Sequence, residues 1–409
     1  MAIREVAARG RSEAPKYISA VTSIRVSMSL ITYILVIIVA LVIPKPVTEK
    51  MLIIIYGLSL LPIAFSFTWL FVAREELHAN MIATIGGQVI HLALVLIFIS
   101  APCDLNKIPW IWLALNGITS LILVVMEISK YGVFRFSIDW QLWKSLFKES
   151  LPMAAAGFLW LPFHSIDIFL LSYVKGDIEV GWYSSARKLV FYALTGGVAF
   201  SMAIFPILSQ KFKEGVSRAK SLIEQSVRLV FAFGLPVGIG GVILSKPIQL
   251  FLYGAEYEQG HYAMQFLIWV VLFIIMYYLG QVAVTAAGKQ RYYLYAVALG
   301  MSVSIVLDFA LVFRFGYIGV SIGTLAGEAT VGIYLLLRLK QIVNFKLISP
   351  FVRPLAASVI MGIFLLFLPQ WHVLILIALG ALVYFIFLVV FGGVNKEDWL
   401  LVKNQIFKK

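Results

Sequence analysis

Charge is what this chain has least of: Asp, Glu, Lys and Arg make up 13% of its 409 residues, against roughly a quarter in water-soluble domains. A fold that exposes its surface to water is excluded. There is one cysteine, Cys103, so no internal disulfide forms and no thiol metal-site spacing exists. Residues 1–23 are polar and basic without an apolar core segment, so no cleavable signal is expected among them and the first apolar helix is expected to direct insertion. Also missing are a phosphate-binding glycine loop, an Asp-x-Asp metal pair and an accessible Ser/His/Asp constellation, and the longest connections on one side are only about fifteen residues. A membrane enzyme needs catalytic groups in a substantial loop or domain, so the chain is expected not to be an enzyme.

What is abundant is apolar length, with 61% of residues hydrophobic. A hydrocarbon layer about 30 Å thick takes about 20 helical residues per crossing. Twelve stretches qualify: 24–43, 51–73, 81–101, 108–129, 151–173, 188–209, 226–246, 262–286, 292–313, 317–338, 353–369 and 371–391. Placing the N-terminus in the cytoplasm puts 25 of the 33 Lys and Arg residues in cytoplasmic loops and leaves 8 opposite. That asymmetry orients a multi-pass protein of the cell membrane with both termini cytoplasmic. The net charge of +13 is thereby placed against the anionic inner leaflet, and no nucleic-acid partner is needed to account for it.

The expected fold is an all-α polytopic membrane protein of about 12 transmembrane helices in two pseudo-symmetric lobes plus a C-terminal helix pair. Shifting the second and third helices by 213 residues lays Ala73, Ala83, Gly87 and Leu94 on Ala286, Ala296, Gly300 and Leu307, an offset of six helices. The lobes are 1–138, with four helices, and 151–340, with six; a polar linker at 139–150 separates them, and 341–409 holds the final pair and tail. A first lobe of four helices beside one of six implies that two N-terminal helices are absent, by truncation or by genuine shortening. In the linker, Trp140, Trp143, Leu146 and Phe147 share one face beside Lys144 and Lys148, as in an interfacial helix. The tail repeats the pattern with Trp399, Val402 and Ile406 beside Lys396 and Lys403.

Several segments together resemble one family. Leu151-Pro152-Met153 through Ser165-Ile166-Asp167-Ile168-Phe169-Leu170-Leu171, then Val180-Gly181-Trp182-Tyr183-Ser184-Ser185-Ala186-Arg187-Lys188-Leu189, then Phe205-Pro206-Ile207-Leu208-Ser209, resemble the start of the second lobe in the polysaccharide flippases. Those belong to the multidrug, oligosaccharidyl-lipid and polysaccharide exporter superfamily. Leu252-Tyr253-Gly254-Ala255-Glu256-Tyr257, Ala287-Gly288-Lys289-Gln290, Arg314-Phe315-Gly316-Tyr317-Ile318-Gly319 and the opening Arg4-Glu5-Val6-Ala7 resemble further loops of the same family. The resemblance implies fourteen helices in a full-length member and a hydrophobic groove for a lipid tail on the final pair. It also implies a polyprenyl-pyrophosphate-linked oligosaccharide as the substrate.

Such a substrate sets the requirement for the site, because stripping water from an unpaired charge costs several kcal/mol. A wet cleft between two lobes removes most of that cost, and cations in it hold the pyrophosphate. Arg187 and Lys188, at one end of the sixth helix, are the candidates, with interfacial snorkelling as the alternative. By resemblance, one of the two stands where lipid II flippases carry a cavity arginine. Arg25 either meets substrate on entry or serves the positive-inside bias. His164 and Asp167, three residues apart behind Pro162, share a helix face. They either line the cleft and couple transport to protons or form a static ion pair that locks packing. Asp308 and Glu328 also lie within spans and join the ion-coupling set, the coupling ion being a proton or sodium. The ladder Gly319, Gly323, Gly327 beside Glu328 reads as close helix packing. Glu127 reads as solvated, and Pro62, Pro162 and Pro236 as kinks.

No cofactor or metal is expected. The leading function is flipping of polyprenyl-linked oligosaccharides from the inner to the outer leaflet by alternating access, for cell-surface polysaccharide. The alternative is cation-coupled export of small amphipathic compounds.

Overall fold

The computed structural model describes residues 14–73, 76–131, 139–147, 165–345, 348–369 and 371–393, which are helical with short connections and include no β-strand. The chain divides into two compact units, Met1–Phe158 and Leu159–Lys409.

The first unit opens with α1 (Ala14–Val42), whose Leu30, Ile34, Leu35, Ile38 and Val42 are exposed, as the lipid-facing residues of a membrane helix should be. The expected second span is broken into α2 (Val47–Leu58), α3 (Leu60–Ala64) and α4 (Thr68–Ala73). Pro62 has no N–H to give, and beyond it the ladder tightens to Phe65 N–H on Pro62 O and Ser66 N–H on Ile63 O, each 3.0 Å. Arg25 of α1 closes the defect: Nη2 donates to Ile63 O at 3.0 Å and Nη1 to Ser66 O at 2.9 Å. Helices α5 (Leu77–Phe98) and α6 (Ile108–Tyr131) come next, joined through a 3-10 turn. Tyr17, Phe67, Leu70, Phe71 and Leu123 form the core of this unit.

The linker is helical over 140–147, here α7, and Asp139 caps it by accepting the Leu142 N–H at 3.1 Å. Its buried face differs from the expected one. Trp143 is buried with Leu142 and Leu146 at the core, whereas Trp140 is 72% exposed. Glu127, expected in solvent, is buried on α6.

The second unit begins with α8 (Ile166–Lys175) and, after Gly176, α9 (Asp177–Glu214). Helix α9 starts eleven residues before the expected span at 188, because the acids and Trp-Tyr-Ser-Ser segment that interrupt its hydropathy do not interrupt its backbone bonding. Next come α10 (Val216–Ile243) and α11 (Ser245–Tyr253), the latter an amphipathic helix where a loop was expected. They are succeeded by α12 (Gly260–Leu267), α13 (Val270–Ala286), α14 (Arg291–Val343), α15 (Ile348–Phe367) and α16 (Val373–Val390). Pro236 is accommodated inside an unbroken α10, while Pro162 and His164 lie outside the described residues.

Nine helical stretches among the described residues are long and apolar enough to span a bilayer, so the expected count of twelve is not reproduced. The fifth expected span and the apolar middle of the sixth, 193–206, lie largely outside the residues whose side chains are described, and the ninth and tenth run together as α14. At 53 residues a straight α14 would be about 80 Å long, far beyond a membrane's thickness. It is broken at Gly316 (φ 54, ψ −131), and its second half packs back on its first. The glycine ladder makes that return: a methyl at Gly327 would lie 2.7 Å from Ser304 Cβ, and one at Gly323 would overlap Asp308 Oδ1. The remaining core is the apolar contact of α9, α10, α12, α13 and α14 through Tyr183, Ile223, Val227, Leu267, Val271, Leu279 and Leu339.

Gly316→Ala should destabilise the unit, because a side chain at that φ is strained by about 1–2 kcal/mol and its Cβ would overlap the Glu179 carboxylate. The expected result is a melting temperature several degrees below wild type in a thermal unfolding assay of purified protein. A variant as stable as wild type would mean the turn tolerates a side chain.

Candidate functional site

The buried acids of the second unit, Asp167, Asp308 and Glu328, lie on α8 and the two halves of α14, which meet α9. Asp167 sits in the first turn of α8, where the positive end of the helix dipole favours a carboxylate, and its Oδ1 accepts the Ile168 N–H at 2.8 Å. Oδ2 takes the Tyr183 hydroxyl at 2.6 Å and Arg187 Nη1 at 2.8 Å. Asp167 is buried and Arg187 nearly so, with 6% and 13% of their side chains exposed. The guanidinium also lies 5.8 Å from the Tyr183 ring and 5.4 Å from that of Phe191, one turn to either side on α9.

Three rungs tie α9 to the second half of α14. Glu179 Oε2 accepts the Tyr317 N–H at 2.9 Å, capping the half-helix that begins after Gly316. Tyr183 and Thr324 share a hydroxyl–hydroxyl bond of 3.0 Å. Arg187 and Glu328 interact electrostatically. On α9 the rungs fall at 179, 183 and 187, each one turn apart, and on α14 at 317, 324 and 328, which also share a face. Asp308, on the first half of α14, is 1% exposed. Ser304 donates to its Oδ2 at 3.3 Å, and Oδ1 has no hydrogen-bond partner among the described residues. It interacts electrostatically with both Asp167 and Arg187.

Of the expected residues, the structure thus brings Asp167, Arg187, Asp308 and Glu328 into one cluster. Asp167 pairs with Arg187, twenty residues on, and its expected neighbour His164 is outside the described residues. Lys188 is exposed, which separates it from Arg187. Neither cation is at a helix end, since α9 begins ten residues before Arg187. Arg25 belongs to the other unit, where both of its hydrogen bonds go to backbone carbonyls at the α3 break rather than to an open site. Sequence reasoning missed Glu179, Tyr183, Thr324 and Ser304. The one available signal was spacing, since Glu179 and Tyr183 precede Arg187 by two turns and one, and Thr324 and Ser304 precede Glu328 and Asp308 by one turn each.

The cluster thus holds one guanidinium, paired with Asp167, and two further buried acidic side chains, Asp308 and Glu328. Among the described residues, no three His, Cys, Asp or Glu side chains converge on a metal-ion position.

Elsewhere in the unit, α10, α12, α15 and α16 line an open apolar pocket of about 350 Å³, with Phe233, Pro236, Met264, Met361, Leu365 and Tyr384 among its walls. Tyr384 turns its hydroxyl away onto Ala232 O, at 2.5 Å.

The sequence profile described as polysaccharide biosynthesis protein matches residues 1–212, just over half of the chain. The chain belongs to that family. A second profile, MatE, matches 152–310. A putative O-antigen transporter from Shigella dysenteriae is 26% identical over 280 residues, 67% of this chain and 68% of that protein. The lipid II flippase MurJ of Bacillus subtilis (strain 168) is 23% identical over 184 residues, 43% of this chain but only 34% of that protein. Among solved structures, a lipid II flippase MurJ in an inward closed conformation superimposes with a TM-score of 0.79 at 18% identity, covering 95% of this chain and 86% of that one. An inward-facing multidrug resistance transporter of the MATE family gives 0.67 at 14% identity, covering 84% and 85%. The fold is that of the multidrug, oligosaccharidyl-lipid and polysaccharide exporter superfamily. As a member of the polysaccharide biosynthesis family, this multi-pass chain is a membrane transporter of the flippase type.

In this flippase the end of the second unit that carries α11 is fastened by polar links. Trp182 Nε1 donates to Glu256 O at 3.0 Å, the Tyr317 hydroxyl to Gln259 O at 3.1 Å, and Lys246 pairs with Glu258 at 2.6 Å. The hydrogen bond to Lys246 holds the Glu258 carboxyl below its ordinary value of 4.5 and raises the Lys246 ammonium. A depressed carboxyl pKa stabilises the fold above 4.5 and loses that effect as pH falls through the folded value. Glu258→Gln should therefore melt slightly below wild type at neutral pH, and the difference should vanish as pH drops below 4.5. An unchanged difference in acid would mean the link is not an ion pair.

Arg187→Met should destabilise by about 3–5 kcal/mol, because Asp167 is left buried without its cation. Adding Asp167→Leu should restore most of the loss, and Lys188→Gln should shift stability by no more than about 0.5 kcal/mol. Thermal unfolding of the three variants checks this; equal effects of Arg187→Met and Lys188→Gln would contradict the assignment.

Proposed function

We propose that this protein flips polyprenyl-pyrophosphate-linked oligosaccharides from the inner to the outer leaflet of the cell membrane. It does so by alternating access, with both termini cytoplasmic, and supplies cell-surface polysaccharide assembly. The observation that carries the reading is the Arg187 guanidinium, held ten residues inside α9 and away from a helix end, in a chain of the polysaccharide biosynthesis family. A guanidinium matches the paired oxygens of a pyrophosphate through charge-assisted bonds, and in a dry surrounding that match is stronger than in water. The identity to a putative O-antigen transporter over two thirds of both chains supports the same cargo class.

Asp167, Asp308 and Glu328 supply the coupling, because their excess charge binds protons or sodium ions in one state and releases them in another. Arg25, as a clamp on the α3 break, supports the passage without touching cargo. Lys188 meets the headgroup region. The cavity between α10 and the final helix pair accepts part of the polyprenyl tail, since it is apolar and open to no charged residue.

A second reading, cation-coupled export of small amphipathic compounds, is favoured by the MatE profile over 152–310. Reconstituted vesicles separate the two. A fluorescent polyprenyl-pyrophosphate-linked oligosaccharide should become accessible on the far leaflet with wild type and with Lys188→Gln. Arg187→Gln should slow this by about tenfold or more, the worth of one lost charge-assisted contact. Vesicles that export a cationic dye but leave the lipid-linked sugar in place would establish the second reading instead.

A further inference from the structure

We propose that Tyr384 is a positioning residue of the transport cycle: its hydroxyl stands in for the backbone donor that Pro236 removes from α10, and the final helix pair thereby sets the bend of α10 at that point. The inference rests on the flippase reading and adds to it a residue that touches no charged group.

Three observations carry it. In a regular helix the N–H of residue 236 would reach the carbonyl of residue 232, but proline has no N–H and its ring crowds that same carbonyl. The group that meets Ala232 O is the Tyr384 hydroxyl of α16, 152 residues on in sequence, at 2.5 Å. Tyr384 is 3% exposed and lipid offers a freed carbonyl no partner, so neither group can turn to bulk water instead.

The second observation is where the defect sits. Pro236 lies in a stretch that also holds Gly234, Gly238, Gly240 and Gly241, and proline and glycine are the residues at which helices bend. A methyl at Gly234, Gly238 or Gly241 would collide with Leu272, Trp269 or Ile268 respectively, so this flank of α10 lies directly on its neighbour. Ala232, Pro236 and Gly240 instead border the open apolar pocket of about 350 Å³, which leaves room for the helix to flex on that side.

The third is how α16 is held. It packs through Leu376, Tyr384 and Leu388 against Leu244, Met361 and Leu365, and apolar contact is non-directional. Arg353 Nη1 donates to Gly392 O at 2.8 Å, which ties α15 to the end of α16. The Tyr384 hydroxyl adds a directional bond from this pair to α10. A change in the bend moves Ala232 O, and the hydroxyl follows only if α16 moves too; otherwise the carbonyl is left unsatisfied in apolar surroundings. The final pair therefore travels with α10 during alternating access instead of sliding past it.

The test uses the purified chain in lipid nanodiscs. Tyr384→Phe keeps the ring and removes only the donor, while Pro236→Ala gives residue 236 an N–H for Ala232 O and makes the hydroxyl dispensable. Thermal unfolding should place Tyr384→Phe about 2–4 °C below wild type, and the same change in the Pro236→Ala background should have no effect. A second readout does not depend on the Pro236 variant folding. With Cys103→Ser, and spin labels on Ser217→Cys and Ala255→Cys at exposed positions either side of the defect, the distance distribution should be broader in Tyr384→Phe than in wild type. In vesicles, Tyr384→Phe should flip the lipid-linked oligosaccharide roughly fivefold more slowly, and adding it to Pro236→Ala should slow that variant no further.

An equal loss of melting temperature from Tyr384→Phe in both backgrounds would mean that the hydroxyl serves packing alone, and overturns the proposal. So does a distance distribution that Tyr384→Phe leaves unchanged. Neither measurement needs cargo, so failure of the flippase reading is separate: it would appear as wild-type vesicles that do not move the lipid-linked oligosaccharide at all.

Discussion

The contact between Arg187 and Asp167 is the centre of the polar network that ties α8, α9 and α14 together. It joins α8 to α9 with both charges out of water, and the same carboxylate oxygen collects the Tyr183 hydroxyl that reaches Thr324 on α14. Three helical segments are thereby held by four side chains. As a stabilising device this is a poor choice, because well-packed apolar groups of similar volume do as well or better in a buried site. A bundle already rich in Leu, Val and Ile has no need of it for cohesion. Such a pair makes sense where the positions must respond to charge, and Asp308 and Glu328, an added burden on a purely structural pair, then have a use.

The two broken helices arise from the same solvent constraint. Lipid offers a freed backbone group no partner, so each interruption has to bring its own. At the α3 break carbonyls lose the regular helical ladder, and a guanidinium from α1 donates to Ile63 O and Ser66 O. At Gly316 the orphan is an N–H at the start of a half-helix, and the Glu179 carboxylate accepts from Tyr317. The sign of the side chain matches the exposed end of the helix dipole in both cases. Charge that looks anomalous in an apolar sequence is in this way the complement of a backbone defect, which is why Arg25 serves the fold while Arg187 serves the site.

Much of this was readable from the sequence. Membrane class, the approximate position of most spans and the family came from long apolar runs and from segments such as Ser184-Ser185-Ala186-Arg187-Lys188-Leu189. What escaped was whatever depends on which way a helix is turned. Arg187 and Lys188 are adjacent in sequence but about 100° apart around α9, and only packing decides which of them meets Asp167. The partnership of Tyr183 with Thr324 spans 141 residues and that of Glu179 with Tyr317 spans 138, with no local pattern to announce either. Helix ends escaped for a different reason. Hydropathy marks where lipid would be, whereas α9 continues through Asp177 and Glu179 because its backbone bonds do not depend on side-chain polarity.

The cluster also bears on how one fold serves a superfamily with unlike cargoes. Under the proposed reading, an anionic head group would meet the guanidinium of Arg187, whereas a cationic amphiphile would settle against Asp308 or Glu328. In this chain the guanidinium is the more exposed member of its pair and Asp308 is 1% exposed, so the group offered to an arriving ligand is the positive one.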